Sequence, residues 1–376
     1  MEQKVIYNGQ ILTLTHFWAT GEPCLWITDP EQIGMPKMEF VGGHPDEYCI
    51  FLKNLTETEL AQITSLDGAP LDVREELRQF LTGKDNPMAL QDKKIMPPPW
   101  LAHREIERYS IGWRMGYGED YIYRFGDWLD TLSPEERTEY RTLFPEPVTW
   151  KGWWDDEDSS EVLEHGDFWV NAWQPEGIPK YTRQWLQQEF AAGRKRELCL
   201  FWGHQPSEDG QLTKSCLSQW WMEDFYTTAD SYLCMEQYMM AAKAELFGDK
   251  EIRDQILKCS DQKQIKALGR KVRGFDQKVW DKFKYAIVLL GNWHKFSQNR
   301  ELREFLLSTG DSVLVEASPY DAIWGIRLAA CSPEAQDPIK WRGQNLLGFA
   351  LMEVRDELRR VTQNEMLCDW STVWQQ

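Results

Sequence analysis

The chain opens on a strand-like alternation. Val5, Ile6 and Tyr7 precede Asn8-Gly9, and Ile11, Leu12 and Leu14 follow, which predicts a type I′ hairpin over residues 4–18. Short strands are predicted near 24–28 and 48–53. The spacing of Leu71, Val73, Leu77 and Leu81 predicts a helix over 71–82. Ser133-Pro134-Glu135-Glu136 is a capping box with Pro at the first helical position, so a helix starts there and stops before Pro145. A tryptophan-rich segment runs from Trp150 to Trp173, and the acidic run Asp155–Asp158 within it reads as a solvated loop. Beyond it come a helix at 184–191, a buried strand Leu198–Trp202 ending at Gly203, a loop at 215–221 and a helix around Glu236. Helices are then expected at 249–258, 262–270, 276–290 and 299–308, and a strand at 313–318. Leu347, Leu351, Val354 and Leu358 mark the apolar face of a last helix over 345–360. The pattern predicts an α+β chain, with a mainly helical second domain preceded by a smaller acidic α+β domain.

Charge sharpens that division. Residues 1–190 carry 17 Lys and Arg against 34 Asp and Glu, whereas the remainder carries 25 against 26. The expected domains are therefore 1–192 and 193–370. A phosphate backbone needs positive charge to hold it, so the acidic half is not a non-specific nucleic-acid clamp. Its Trp- and Tyr-rich patches read first as the core of a small domain, and second as a docking face for a protein partner. The eight cysteines form no C-x-x-C pair and no cluster with His, so no metal site is expected. Such a pattern suits reduced thiols and a cytoplasmic location. The N-terminus lacks the pattern of a secretory signal, and runs such as Tyr285–Leu290 are too short to span a bilayer.

The richest stretch is Cys234 to Ala244. Glu236 and Lys243 stand seven residues apart, two helical turns with a drift of about 20°, and so share a face. Met235, Met239, Met240, Ala241, Ala242 and Ala244 make that helix apolar, a costly setting for two charges unless they are paired or used. A direct Glu236–Lys243 contact would have to bridge about 10 Å of helix axis. Asp321, just before Trp324, is a second carboxylate beside an aromatic plane.

Six motifs in order tie these residues together. They are Phe201-Trp202-Gly203-His204, Leu217-Ser218-Gln219-Trp220, Met235-Glu236-Gln237-Tyr238 with Ala242-Lys243, Leu268-Gly269-Arg270 with Trp280, Asp321-Ala322-Ile323-Trp324-Gly325, and Asn345-Leu346-Leu347-Gly348 with Met352 and Arg355. In this register the region of about 195–362 resembles the NADAR (YbiA-like) N-glycosidase family. Met235 departs from it, since many members have Ser or Ala there. The resemblance implies cleavage of an N-glycosidic bond without a cofactor. It implies as substrate ADP-ribose on the guanine amino group of nucleic acid or nucleotides, an antitoxin-like reversal of ADP-ribosylation. A second implied substrate class is phosphoribosylamino intermediates of riboflavin synthesis. A non-catalytic sensor of ADP-ribose or NAD-derived nucleotides is the reading from another class.

Chemically, breaking a C1′–N bond needs a proton for the leaving base, an anion near the oxocarbenium-like ribose and a delivered nucleophile. Glu236 is the candidate general acid/base, and Asp321 the candidate for the ribose hydroxyls or the cation. Lys243 can neutralise Glu236, hold a phosphate, or attack C1′ of an opened ribose. Trp324 and Trp280 are candidate stacking walls, with core packing as the plainer role. Residues 263–284 carry eight basic side chains against Asp276 and Asp281, and Arg270 is the phosphate candidate because it falls in a motif. Asn345 can fix a hydroxyl or cap the last helix. The resemblance adds Phe201, Trp202, Gly203, Ser218 and Gly325 to the substrate-binding walls.

Overall fold

The computed structural model describes residues 3–16, 23–27, 37–40, 48–71, 73–74, 90, 93–154, 179–205, 207 and 211–374. The expected helix over 71–82, the acidic run at 155–158 and the tryptophan segment up to Trp173 lie largely or wholly outside them. The chain divides into two compact units, one of residues 1–94 with 133–143 and one of 95–132 with 144–376.

The first unit is built on an antiparallel sheet. Strands β1 (Gln3–Tyr7), β2 (Gln10–His16), β3 (Pro23–Ile27), β4 (Glu39–Phe40), β5 (Tyr48–Phe51) and β6 (Thr64–Ser65) lie in the order β4-β5-β3-β2-β1-β6. Tyr7 faces Gln10 across the hairpin, and Asn8 and Gly9 both have positive φ, 49° and 75°, as a type I′ turn requires. Val5, Tyr7, Leu12, Leu14, Leu25, Ile27 and Ile50 form its core. The capping box is made in full. Ser133 N–H donates to Glu136 Oε2 (2.7 Å) and Glu136 N–H to Ser133 Oγ (3.2 Å), at the start of helix Pro134–Leu143.

The second unit is mainly helical. In it are α1 (Tyr117–Asp130), α2 (Arg183–Ala191), α3 (Met235–Leu246), α4 (Lys250–Leu257), α5 (Gln262–Gly269), α6 (Gln277–Gln298), α7 (Arg300–Ser308) and α8 (Leu346–Thr362). Asp249, Asp261 and Asp276 each cap a helix by accepting a backbone N–H. The helix expected to stop at 290 runs to Gln298. Gly291 lies inside it, and a Cβ there would meet the Tyr238 ring at 2.5 Å and Met235 Sδ at 2.7 Å. It is a contact glycine that lets α3 and α6 approach. A parallel pair, β7 (Leu198–Phe201) beside β10 (Val313–Glu316), packs under α8; the small antiparallel pair β8 (Phe225–Tyr226) and β9 (Ser231–Tyr232) lies against α6 and α3.

By contacts the first unit ends at Lys94 and takes back 133–143, whereas the charge step lies near 190. Val148, Lys180 and Tyr181, all before residue 192, are fastened to the last helix by acids that composition alone counts as surface charge. Val148 N–H donates to Glu357 Oε1 (2.7 Å), Lys180 N–H to Glu353 Oε1 (2.8 Å) and Tyr181 Oη to Asp356 Oδ2 (2.6 Å), all on α8. Glu353 and Glu357 are buried by this packing. Charge asymmetry follows surface composition, whereas a unit boundary follows contacts. Among the described residues, no helix is long and apolar enough to cross a membrane.

Candidate active site

The site forms where the parallel pair ends. Phe201 and Glu316 are in register, and Ala317 N–H donates to Phe201 O (2.8 Å), so both chains leave the pair at the same edge. Ends of parallel strands are where α/β architectures place ligands, because loops diverge there and leave a crevice. Gly203 has φ +86°, a conformation glycine adopts at no cost, and it turns the chain after the exposed Trp202. Phe201 itself is buried core.

The loop after β10 is clamped to the start of α8. Asn345 does not cap that helix. Its Nδ2 donates to Leu314 O and its Oδ1 accepts from Glu316 N–H (both 2.9 Å), so the amide pairs with β10 as a neighbouring strand would. The orphan N–H groups of the first helical turn go instead to the loop, Leu346 to Ile323 O (3.2 Å) and Leu347 to Trp324 O (3.1 Å). Gly348 is required, since a Cβ would lie 2.0 Å from Leu314 O. Gly325 is required for the same reason, its Cβ position being 2.8 Å from Glu316 O. Gly325 and Asn345 thus shape the site from behind. Asp321 Oδ1 accepts from both Ile323 N–H and Trp324 N–H (2.8 Å each), which fixes its carboxylate and sets Trp324 in a buried wall.

Glu236 lies in the first turn of α3 and is 4% exposed. Its N–H donates to Gln219 O (2.8 Å), joining the helix start to the loop of Ser218 and Trp220. Burial pushes its carboxyl up to about 7; Asp321 adds to that, while Lys266 and Arg270 oppose it. The shift arises from burial and charge, with no hydrogen bond contributing. The next residue is structural: Gln237 Nε2 donates to Ile256 O and Cys259 O (3.0 Å each).

Glu236, Met240 and Lys243 do share a face, and it looks onto α5. Met240 Sδ occupies the space of a Cβ on Gly269, at 2.0 Å. On either side of that contact, Glu236 faces Lys266 and Arg270, and Lys243 Nζ donates to Gly269 O (2.9 Å). Lys243 is therefore not ion-paired with Glu236. It lies over the Phe275 ring (4.2 Å) and beside the half-buried Trp280 (5.6 Å), and burial pulls its ammonium below the usual lysine range. Trp280 belongs with Lys243, Trp324 with Asp321.

The basic stretch at 263–284 sorts into used and available charges. Arg273 is held by Asp249 and by Glu251 (3.0 Å), and Lys284 is paired with Asp281. Lys266, in the last turn of α5, and Arg270, which follows that helix, both act on Glu236, and Lys266 Nζ lies 5.2 Å from the Trp220 ring. Ser218 holds the loop in shape: its Oγ accepts from Trp220 N–H (3.1 Å), and its carbonyl accepts from Lys295 Nζ (3.1 Å). Lys295 is fully buried, which lowers it to about 8.

Sequence reasoning missed Glu316. It ends β10, its Oε2 is buried without a hydrogen-bond partner, and burial with Asp321 and Glu236 raises it to about 8. The available signal was an acid closing the apolar run Val313-Leu314-Val315. Lys266 was legible as the residue four before Arg270. Among the described residues, no group of three His, Cys, Asp or Glu is arranged to hold a metal ion.

The NADAR domain family model matches residues 200–359, the stretch that builds this site. N-glycosidase R617 of Acanthamoeba polyphaga mimivirus is 49% identical over 145 residues, 37% of this chain and 85% of that protein. The chain belongs to the NADAR domain family. Protein irg-1 of Caenorhabditis elegans is 42% identical over 34% of this chain and 61% of its own length. N-glycosidase YbiA of Escherichia coli (strain K12) is 32% identical over 33% of this chain and 68% of its own length. The matches to these three relatives cover 33% to 37% of the chain, and the NADAR region lies within the second compact unit.

Proposed function

We propose that this NADAR protein, an N-glycosidase, cleaves the C1′–N bond of ADP-ribosylated guanine in nucleic acid or nucleotides. The observation that carries the reading is the setting of Glu236, a buried acid without hydrogen bonds, faced by Asp321 and by the cations Lys266 and Arg270. A carboxyl held near neutrality can both give and take a proton at physiological pH, as bond cleavage to a nitrogen base requires. Asp321, its Oδ1 already fixed by two backbone N–H groups, orients toward the ribose hydroxyls and the developing positive charge. Lys266 and Arg270 receive the pyrophosphate, and Trp220 offers a stacking surface beside Lys266. Lys243, half-buried between a carbonyl and two rings, is the candidate amine nucleophile or phosphate partner. In a cell the reaction would reverse a guanine modification, as an antitoxin does.

The test is incubation of the full chain with an oligonucleotide bearing ADP-ribosylated guanine, with ADP-ribosylated guanosine nucleotide, and with a phosphoribosylamino pyrimidine. Release of ADP-ribose from the first two, lost in Glu236→Gln, supports the reading. Turnover of the third alone would reassign the substrate to small phosphoribosylamines. ADP-ribose binding with no turnover of any would make the domain a sensor.

A further inference from the structure

We propose that Lys295 is a positioning residue for Glu236: it clamps the loop that holds the first turn of α3, and its effect on turnover rests on the N-glycosidase reading above. Lys295 lies in the last turn of α6 and is fully buried. Its Nζ donates to Cys216 O (2.7 Å) and Ser218 O (3.1 Å). Both acceptors are carbonyls and neither is a carboxylate. A buried ammonium met only by carbonyls costs folding free energy, and an apolar side chain of the same length would cost less. Packing therefore gives no reason for a lysine at this place. The loop it holds does.

Three successive carbonyls of that loop go to three different helices. Ser218 O accepts from Lys295 on α6 (3.1 Å), Gln219 O from Glu236 N–H on α3 (2.8 Å), and Trp220 O from Gln262 Nε2 on α5. The loop is also tied within itself. Ser218 Oγ accepts from Trp220 N–H (3.1 Å), and Ser218 O accepts from Trp221 N–H (3.2 Å). Glu236 stands in the first turn of α3, where backbone N–H groups have no partner inside the helix. Gln219 O supplies that partner, so the loop sets where the Glu236 backbone begins and with it where the carboxyl stands. Without Lys295, the Ser218 carbonyl loses its hold on α6, and Gln219 O, one residue on, is free to shift. A displacement of about 1 Å at a reacting group can cost about 10² in rate.

The experiment uses the full chain with Lys295→Met, which keeps the apolar stem and removes the donors. Hydrogen exchange at the Glu236 amide is expected to be at least about tenfold faster than in wild type, with the amides from Met239 to Leu246 unchanged. On the oligonucleotide with ADP-ribosylated guanine, kcat is expected to fall about 10²-fold with KM within about twofold. The denaturant midpoint is expected to equal or exceed that of wild type, because a buried ammonium has been removed. Adding Glu236→Gln tests the route. The double variant should be no slower than Glu236→Gln alone, since a residue acting through Glu236 then has nothing left to act on. An unchanged Glu236 amide overturns the clamp, and so does a double variant whose loss is the product of the two single losses. A lowered midpoint with faster exchange throughout α3 also overturns it, and makes Lys295 a core residue only. Should Lys295→Met not fold, Lys295→Gln, which keeps a donor on a shorter stem, takes its place with the same readouts and smaller changes of the same sign. A wild type that releases no ADP-ribose defeats the N-glycosidase reading, and the Glu236 amide then decides the clamp by itself.

Discussion

Two regions of the helical unit bury carboxyls, and they treat them in opposite ways. Around Glu107, both oxygens have a polar neighbour: His294 Nε2 lies 3.0 Å from Oε1, and Thr228 N–H donates to Oε2 (2.7 Å). These partners outweigh burial and hold Glu107 down at about 2. Glu236 is buried more deeply, at 4% exposed; no hydrogen bond relieves it or the buried Glu316 Oε2, and the two acids rise to about 7 and 8. A satisfied acid joins segments of the chain. An acid buried without such partners is a candidate functional group.

The largest difference should appear in turnover. Glu236→Gln should lower kcat by about 10²- to 10⁴-fold, while Glu107→Gln, with its fold intact, should leave kcat within about twofold. A comparable loss in Glu107→Gln, measured by ADP-ribose release, would erase the distinction. Stability should show the reverse. Glu107 is depressed in the folded state, so its contribution is present above the ordinary glutamate range and is lost as pH falls toward 2. Denaturant melts of Glu107→Gln should show a loss on the order of 3 kcal/mol at pH 7 that shrinks on acidification.

Glu236 is raised, so the sign is opposite. Its ionisation is penalised only in the folded chain, and wild-type stability falls as pH climbs from about 4.5 to 7. Glu236→Gln should therefore be more stable than wild type at pH 8, on the order of 2–3 kcal/mol, and equal to it near pH 4. A variant less stable at pH 8 would mean that the acid has a partner after all. The smallest effects belong to the cations. Lys266→Ala and Arg270→Ala should each raise KM for a pyrophosphate-bearing substrate about tenfold, roughly 1.4 kcal/mol, and weaken its salt dependence. Arg273→Ala should change KM less than twofold, because Asp249 and Glu251 already occupy that guanidinium.

Much of this was legible locally. Asn8-Gly9 dictates its turn through positive φ, Ser133 to Glu136 dictates its cap, and the seven-residue spacing of Glu236 and Lys243 puts both on the face toward α5. The six motifs also led to the family. What was not legible depended on partners far away in the chain. The role of Gly291 shows only once Tyr238 and Met235 fill the space beside it. Asn345 looks like a cap until β10 arrives to take both ends of its amide. The charge step near 190 looks like a boundary until Glu353, Asp356 and Glu357 are seen fastening the preceding segments.

By itself, then, the sequence determined the elements and the chemistry they carry, because turns, caps and helix faces are settled by neighbours within a few residues. Only the tertiary structure decided which acids lie within one another's field. Val313 to Glu316 reads as a strand with a polar end, and pairing with β7, more than a hundred residues earlier, carries that end to the edge where both strands leave the pair. Burial and the field of other charges set the proton affinity of a carboxyl, and neither exists until distant segments have packed.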